Sequence, residues 1–189
     1  MTKADLRNIY KQKREQLHSA EKLKLDDLLL LQFQQLDFEG INNVLSYWPM
    51  SGTQEPNTHL FTGYLRHFVP GITIAYPVID MKTQTFNAVE INEATVYKNN
   101  KWGMYEPADG TAVSPEEIEL ILVPMLICDR LGNRIGYGKG FYDKFIATCN
   151  PQVIKIGFSY FEPVLQIEDV NEWDIPLTHC VTPQQVYEF

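Results

Sequence analysis

The sequence predicts an α/β fold, a single domain over residues 1–189 with an open, mostly parallel sheet and helices on both faces. Short apolar stretches with strand character alternate with longer stretches of helical spacing, which is the pattern of βαβ units. The stretch Leu120–Val123 is apolar at every position, as a strand covered on both faces must be. A basic glycine loop, Gly136-Tyr137-Gly138-Lys139-Gly140, follows that strand after a connecting stretch and opens a helix at Phe141. Open α/β sheets bind ligands at such places, beyond the carboxyl ends of their strands.

From the amino end, Leu6, Ile9, Tyr10 and Leu17 recur near helical spacing and predict a helix over residues 3–17. A Leu-rich stretch with charged interruptions predicts a second from Ala20 to Leu36. Asn43 to Trp48 reads as a buried strand. Asn57 is a capping residue for a helix running to about Phe68, and Ile72 to Tyr76 reads as a strand ending before Pro77. Thr85 to Ile91 reads as a further strand, and Pro115 to Glu117 starts a short helical turn. After the glycine loop, Phe141 to Cys149 reads as a helix and Val153 to Phe158 as a strand. Trp102 to Gly110 is the best candidate for a long functional loop.

Sixteen Lys and Arg against 24 Asp and Glu give a formal charge of −8. That balance disfavours a nucleic-acid partner and makes any local basic cluster more telling. The longest apolar run, around Leu28 to Leu31, is far too short to cross a bilayer, and the amino end has no secretory pattern. No membrane partner and a cytoplasmic location are therefore expected; a monomer is taken as the default, with an oligomer left open. Cys128, Cys149 and Cys180 are odd in number and lack a C-x-x-C pair, which predicts reduced, buried thiols instead of a disulfide framework or structural zinc.

The glycine loop has the parts of a phosphate cradle. Glycines at alternate positions let backbone N–H groups turn onto an anion without a Cβ in the way. Arg134 and Lys139 add positive charge beside those amides, and Asp143 offers a hard oxygen suited to magnesium. The spacing fits neither the P-loop nor G-x-G-x-x-G, because Phe141 stands where the third glycine belongs. By composition alone, such a run serves as a tight connection as readily as a binding site. Lys3, Arg7, Lys11 and Arg14 would form a basic stripe on one helix face, which from spacing alone is a solvated surface. Taken singly, Asp143 is a first-turn helix acid, Asp174 a turn residue and Glu55 an acid at a helix entry. Trp48, Trp102 and Tyr142 are, as aromatics, more often core than contact residues. The four histidines form no constellation, and no Ser-His-Asp or Cys-His arrangement is visible.

The stretch from Val123-Pro124 through Arg134 to Asp143 resembles the signature of the 5-formyltetrahydrofolate cyclo-ligase family, also called methenyltetrahydrofolate synthetase. The resemblance extends, in order, to Lys3-Ala4-Asp5-Leu6-Arg7, Glu55-Pro56-Asn57-Thr58, Trp102-Gly103-Met104-Tyr105-Glu106-Pro107 and Trp173-Asp174. It implies ATP- and magnesium-dependent cyclisation of 5-formyltetrahydrofolate to 5,10-methenyltetrahydrofolate, with release of ADP and phosphate, through phosphorylation of the formyl oxygen. It further implies that Lys3, Arg7, Arg134, Gly136, Tyr137, Gly138, Lys139, Gly140, Phe141 and Tyr142 hold ATP. Lys3, Arg134, Lys139 and Tyr142 would carry the catalysis. Trp48, Glu55, Trp102 and Tyr142 would bind the folate, with Glu55 accepting from the pterin ring, and Asp143 and Asp174 would hold magnesium. The chain departs from the pattern at Lys139, where many relatives have glycine, and at Phe141, where tyrosine is common. Two other readings stay open: an ATP-dependent enzyme for a different formylated or pterin substrate on the same fold, and a non-catalytic nucleotide- or anion-binding module.

Overall fold

The computed structural model describes residues 1–100 and 103–189, so the expectation for Trp102 lies outside the described residues. The strands are β1 (Asn43–Leu45), β2 (Thr73–Asp80), β3 (Thr85–Ile91), β4 (Tyr97–Asn99), β5 (Tyr105–Pro107) and β6 (Ala112–Val113), then β7 (Leu120–Val123), β8 (Ile127–Cys128), β9 (Arg134–Ile135), β10 (Ile154–Phe158), β11 (His179–Val181) and β12 (Val186–Glu188). The helices are α1 (Lys3–Glu15), α2 (Ser19–Phe33), α3 (Thr58–Phe68) and α4 (Phe141–Ile146), with a 3-10 turn at Pro115–Glu117.

The main sheet has eight strands in the order β12-β11-β10-β7-β1-β2-β3-β6. The five from β11 to β2 run parallel, and β12, β3 and β6 add antiparallel edges. β7 explains why an all-apolar run belongs at the centre. Leu120 and Leu122 join the core under α2 and α3, while Ile121 and Val123 join the core under α4, as the two-residue period of a strand requires. Helices thus cover both faces. On the first, Phe61 of α3 stacks on Phe158 of β10 with ring centroids 3.9 Å apart.

α1 does something else. Its Leu6 and Tyr10 pack on Leu126, Ile127 and Ile135, in a third apolar cluster beneath the small β8–β9 hairpin. This helix starts at a capping box in which Thr2 and Asp5 satisfy each other's backbone N–H. Its apolar residues therefore support the hairpin from which the glycine loop emerges.

Several boundaries differ from the sequence reading. β2 continues through Pro77 to Asp80. Proline is tolerated because alternate N–H groups here point away from β3, and that of Ile79, with the same orientation, donates to Glu106 Oε1 at 3.1 Å. β1 ends at Leu45 and not at Trp48. The helix from Phe141 ends at Ile146, where Thr148 and Cys149 close tight turns to Phe145 and Ile146 before Asn150-Pro151. Apart from β1, the strands of two or three residues have no counterpart in the sequence reading, since so short a segment carries no period. Asn57 caps α3 as expected, its side chain accepting from His59 N–H at 3.3 Å. The three cysteines are free and buried, and among the described residues no helix is long and apolar enough to cross a membrane.

Candidate active site

The chain passes from β1 outward to β2 and later returns to the other side of β1 at β7. The carboxyl ends of β1 and β7 therefore flank the point where strand order reverses, and α/β sheets open a crevice there. Residues 46–55 leave β1 over this end. Pro124 and Met125 leave β7 and turn into the β8–β9 hairpin, which delivers the glycine loop to the same place. Asp129, fully buried, organises that hairpin by accepting from Leu131 N–H, Asn133 N–H and Ile167 N–H at 3.0, 3.0 and 3.1 Å.

Within the loop Gly138 and Gly140 have φ of +84° and +69°, a region costly for residues with a Cβ. Among the described residues, no backbone N–H from Gly136 to Asp143 donates a hydrogen bond, and residues 138–140 are exposed. The loop thus presents unsatisfied donors to solvent. Arg7 on α1 holds its shape, with Nε donating to Gly136 O at 3.0 Å and the guanidinium lying 3.5 Å from where a Gly138 Cβ would stand. Lys139 is exposed, with no ion-pair or hydrogen-bond partner among the described residues.

Two of the rim cations, Arg134 and Lys3, face acids. Arg134, its side chain only 6% exposed, donates Nη2 to Asp143 Oδ1 at 2.8 Å and Nη1 to Ile175 O. Ile175 N–H donates to the same Asp143 oxygen at 3.1 Å. Lys3 pairs with Asp174 Oδ2, which also accepts Asn171 N–H at 2.7 Å. Asp143 Oδ2 and Asp174 Oδ1 have no hydrogen-bond partner among the described residues. No group of three His, Cys, Asp or Glu capable of holding a metal occurs among those residues. The two carboxylates nevertheless suit magnesium, which keeps most of its waters and takes one or two protein oxygens beside substrate phosphates.

Glu55 links this rim to the opposite wall. It is buried, and it accepts Tyr137 O–H on Oε1 and Met50 N–H on Oε2, both at 2.6 Å. Burial pushes its carboxyl above the ordinary range, while the bonds from Tyr137 and Met50 and the charges of Arg14 and Lys22 pull it back. Burial, and then the nearby Glu55, raise the Tyr137 and Tyr142 phenols far above their usual range. Tyr142 packs its ring 4.9 Å from that of Phe86, and its buried hydroxyl has no partner among the described residues. Trp48 stands 4.6 Å from the His59 ring, 4.9 Å from Tyr97 and 5.0 Å from Tyr105. Trp48, Met50, Glu55 and His59 line a cleft of about 230 Å³. A larger cavity of about 550 Å³ between β3, β6 and α4 contains none of the predicted site residues.

The structure thus gathers Lys3, Arg7, Arg134, Gly136 to Asp143 and Asp174 at one rim, with Glu55 and Trp48 across from it. The basic stripe on α1 is not uniformly solvated. Lys11 is exposed, Lys3 and Arg7 turn to the rim, and Arg14 is buried at 1% exposure. His59 and Tyr97 were missed, and nothing in the sequence marks them. Arg14 stood in the basic stripe with no role assigned to it, and Tyr105 lay within the Trp102–Gly110 loop without being singled out.

A family model described as the 5-formyltetrahydrofolate cyclo-ligase family matches residues 1–183. The 5-formyltetrahydrofolate cyclo-ligase of Escherichia coli K12 is 31% identical over 93 residues, which are 48% of this chain and 51% of that protein. The cyclo-ligase of Haemophilus influenzae is 33% identical over 86 residues, 44% of this chain and 46% of that one. The matched stretches thus span about half the length of these relatives. The solution structure of Aquifex aeolicus 5,10-methenyltetrahydrofolate synthetase superposes with a TM-score of 0.82 at 25% identity, covering 100% of this chain and 93% of that one. The Mycoplasma pneumoniae synthetase superposes at 0.74 and 21% identity, covering 96% and 98%, a likeness of fold.

Proposed function

The chain belongs to the 5-formyltetrahydrofolate cyclo-ligase family, and from that premise we propose that it converts 5-formyltetrahydrofolate and ATP to 5,10-methenyltetrahydrofolate, ADP and phosphate. The bond from Tyr137 to Glu55 supports this reading most. It ties the loop suited to phosphates directly to the carboxylate suited to a pterin edge, so a γ-phosphoryl group and a folate bound in these places would meet.

In the proposed reaction the formyl oxygen takes the γ-phosphoryl group from ATP and ADP leaves. N10 then attacks the formyl carbon and loses its proton to solvent, and the C–O bond breaks to release phosphate. The formyl oxygen, a poor leaving group, departs as part of a good one. The chain's task is positioning and charge stabilisation. The unsatisfied N–H groups from Gly136 to Gly140 and the charges of Arg7 and Lys139 suit the phosphates. Glu55 retains lone pairs for two neighbouring ring N–H groups beyond those used by Tyr137 and Met50. The Trp48 ring offers a flat wall, and the Tyr142 hydroxyl, which has no partner among the described residues, can donate where the two substrates adjoin. Magnesium held through Asp143 Oδ2 and Asp174 Oδ1 would neutralise charge on the phosphates.

The test is to mix the protein with 5-formyltetrahydrofolate, magnesium and ATP and follow the near-ultraviolet absorbance of the methenyl product together with phosphate release. One phosphate per methenyl group is expected. Absence of product would overturn the assignment, and phosphate without product would point to a nucleotide hydrolase acting elsewhere.

A further inference from the structure

We propose that Arg14 is a positioning residue for the pterin-binding carboxylate, acting through the Tyr137 hydroxyl to aim Glu55 and keep it a pure hydrogen-bond acceptor. The proposal rests on the reading that Glu55 receives the pterin N–H groups. Arg14 is too deeply buried to reach a nucleotide itself. Its Nη2 donates to Met125 O, just beyond the carboxyl end of β7, and its Nη1 lies 3.3 Å from Tyr137 Oη. Among the described residues it makes no ion pair, and its Nε has no partner. Burying a guanidinium without a carboxylate is costly, so a role for the charge is to be sought at the next contact along.

Proton counting supplies that role. A guanidinium can only donate, so Tyr137 Oη must accept from Arg14. The hydroxyl has one proton, and with its lone pair engaged by Arg14 that proton is directed to Glu55 Oε1 at 2.6 Å. Successive bonds of this kind polarise and strengthen one another. Met50 N–H occupies the other oxygen. Glu55 is thereby met by a donor on each side and, among the described residues, has no proton-accepting partner to which it could donate. Burial favours its neutral form, and the Tyr137 bond, the Met50 bond, Arg14 and Lys22 oppose that tendency, in this order. The phenols of Tyr47, Tyr142 and Tyr160 also face it, all held neutral by burial. Lys22 is itself paired with Asp26 at 2.6 Å, which leaves Arg14 as the buried charge in line with the carboxylate.

The experiment reads Glu55 directly and without substrate. With glutamate labelled at its carboxyl carbon and the Glu55 signal identified by its loss in Glu55→Gln, the titration is followed by NMR in the unaltered protein, Arg14→Gln, Arg14→Lys, Tyr137→Phe and the Arg14→Gln/Tyr137→Phe double variant. The midpoint should move to higher pH in Arg14→Gln and in Tyr137→Phe, move no further in the double variant than in the larger single, and return part of the way in Arg14→Lys. Should Arg14→Gln not fold, Tyr137→Phe, which loses one oxygen, decides the matter with Arg14→Lys. An unmoved midpoint in any folded variant lacking the Arg14 charge or the Tyr137 hydroxyl overturns the proposal, as do additive shifts in the double. In turnover, Arg14→Gln should raise KM for 5-formyltetrahydrofolate about tenfold. It should move the acid limb of kcat/KM for that substrate to higher pH and leave kcat and KM for ATP nearly unchanged. A merely structural role would shift kcat and both KM values together. If the unaltered protein forms no methenyl product, the proposed function falls while the titration still judges Arg14.

Discussion

Replacing Asp143 with asparagine separates its structural work from its proposed work as a magnesium ligand. Asp143 Oδ1 accepts from Arg134 and from Ile175 N–H, and an asparagine carbonyl can keep both bonds. The bond from Arg134 then loses its charge-assisted part, a cost of about 1 kcal/mol. The larger cost of breaking a fully buried ion pair does not apply, because the Asp143 side chain is 26% exposed. For a chain of this size that loss lowers Tm by roughly 2–4 °C. The same change removes the anionic oxygen Oδ2, for which nothing substitutes in the proposed reaction. A fall of about 10³ in kcat/KM for ATP, equivalent to about 4 kcal/mol, is expected, with a higher magnesium concentration needed for half-maximal rate. Thermal unfolding and the methenyl absorbance assay measure the two effects on one preparation. A folded Asp143→Asn protein turning over within tenfold of its parent would remove Asp143 from the proposed metal site. Alanine is the poorer test, since it would leave Arg134 without its carboxylate and mix the two effects.

Gly138→Ala should cost about 1–2 kcal/mol through its positive φ, and should raise KM for ATP more than KM for folate. Steric contact with Arg7 at 3.5 Å is ordinary, so the strain falls on the loop; unchanged urea unfolding and unchanged KM for ATP would refute this. Lys139→Ala should leave Tm within about 1 °C, as expected for an exposed side chain with no partner among the described residues, while weakening ATP binding several-fold, measured by calorimetry with magnesium and ATP in the absence of folate. Glu55→Gln should alter the pH dependence of stability. Burial raises the Glu55 carboxyl above its ordinary 4.5, so its contribution is fully present below that pH and declines as pH rises through the folded-state value. Urea unfolding across that interval should show the glutamine variant gaining on its parent as pH increases; the opposite trend would mean that the ionised form is the better accommodated in the fold.

The parts of the molecule legible in the sequence were those governed by periodicity or by a single strong residue preference. β7 was evident because both faces are covered, α3 because Asn57 caps it, and the glycine loop because backbone amides can be exposed in that way only without side chains. What could not be read depends on contacts between distant segments. The course of β2 through Pro77 is permitted by the way alternate N–H groups face Glu106, nearly thirty positions on. The three stripe residues that turn inward do so because α1 packs on the β8–β9 hairpin, and strands of two residues announce nothing. At the site, residue types were visible while their pairing was not: Arg134 with Asp143, Lys3 with Asp174 and Tyr137 with Glu55 all join residues whose adjacency arises only after folding.

Those pairings also explain how an acidic chain can offer a site to a polyanion. With a net charge of −8, long-range steering does not favour ATP, and attraction must come from groups at close range. Unpaired arginines buried at the rim would be costly in the free protein. Here Arg134 and Lys3 rest against Asp143 and Asp174, so the free state avoids that penalty. In the proposed complex a magnesium nucleotide brings opposite charges in the same arrangement: its cation can share the acids while its phosphates share the bases and the unsatisfied amides. Binding then exchanges ion pairs instead of creating them, and neither sign is left uncompensated. The same logic predicts that triphosphate without a divalent ion binds poorly, since it would draw the bases away from Asp143 and Asp174 and leave two carboxylates facing a polyanion. Calorimetric titration of ATP in the presence of a chelator should accordingly show affinity at least about tenfold weaker than with magnesium, and equal affinities would show that the carboxylates lie outside the nucleotide's reach.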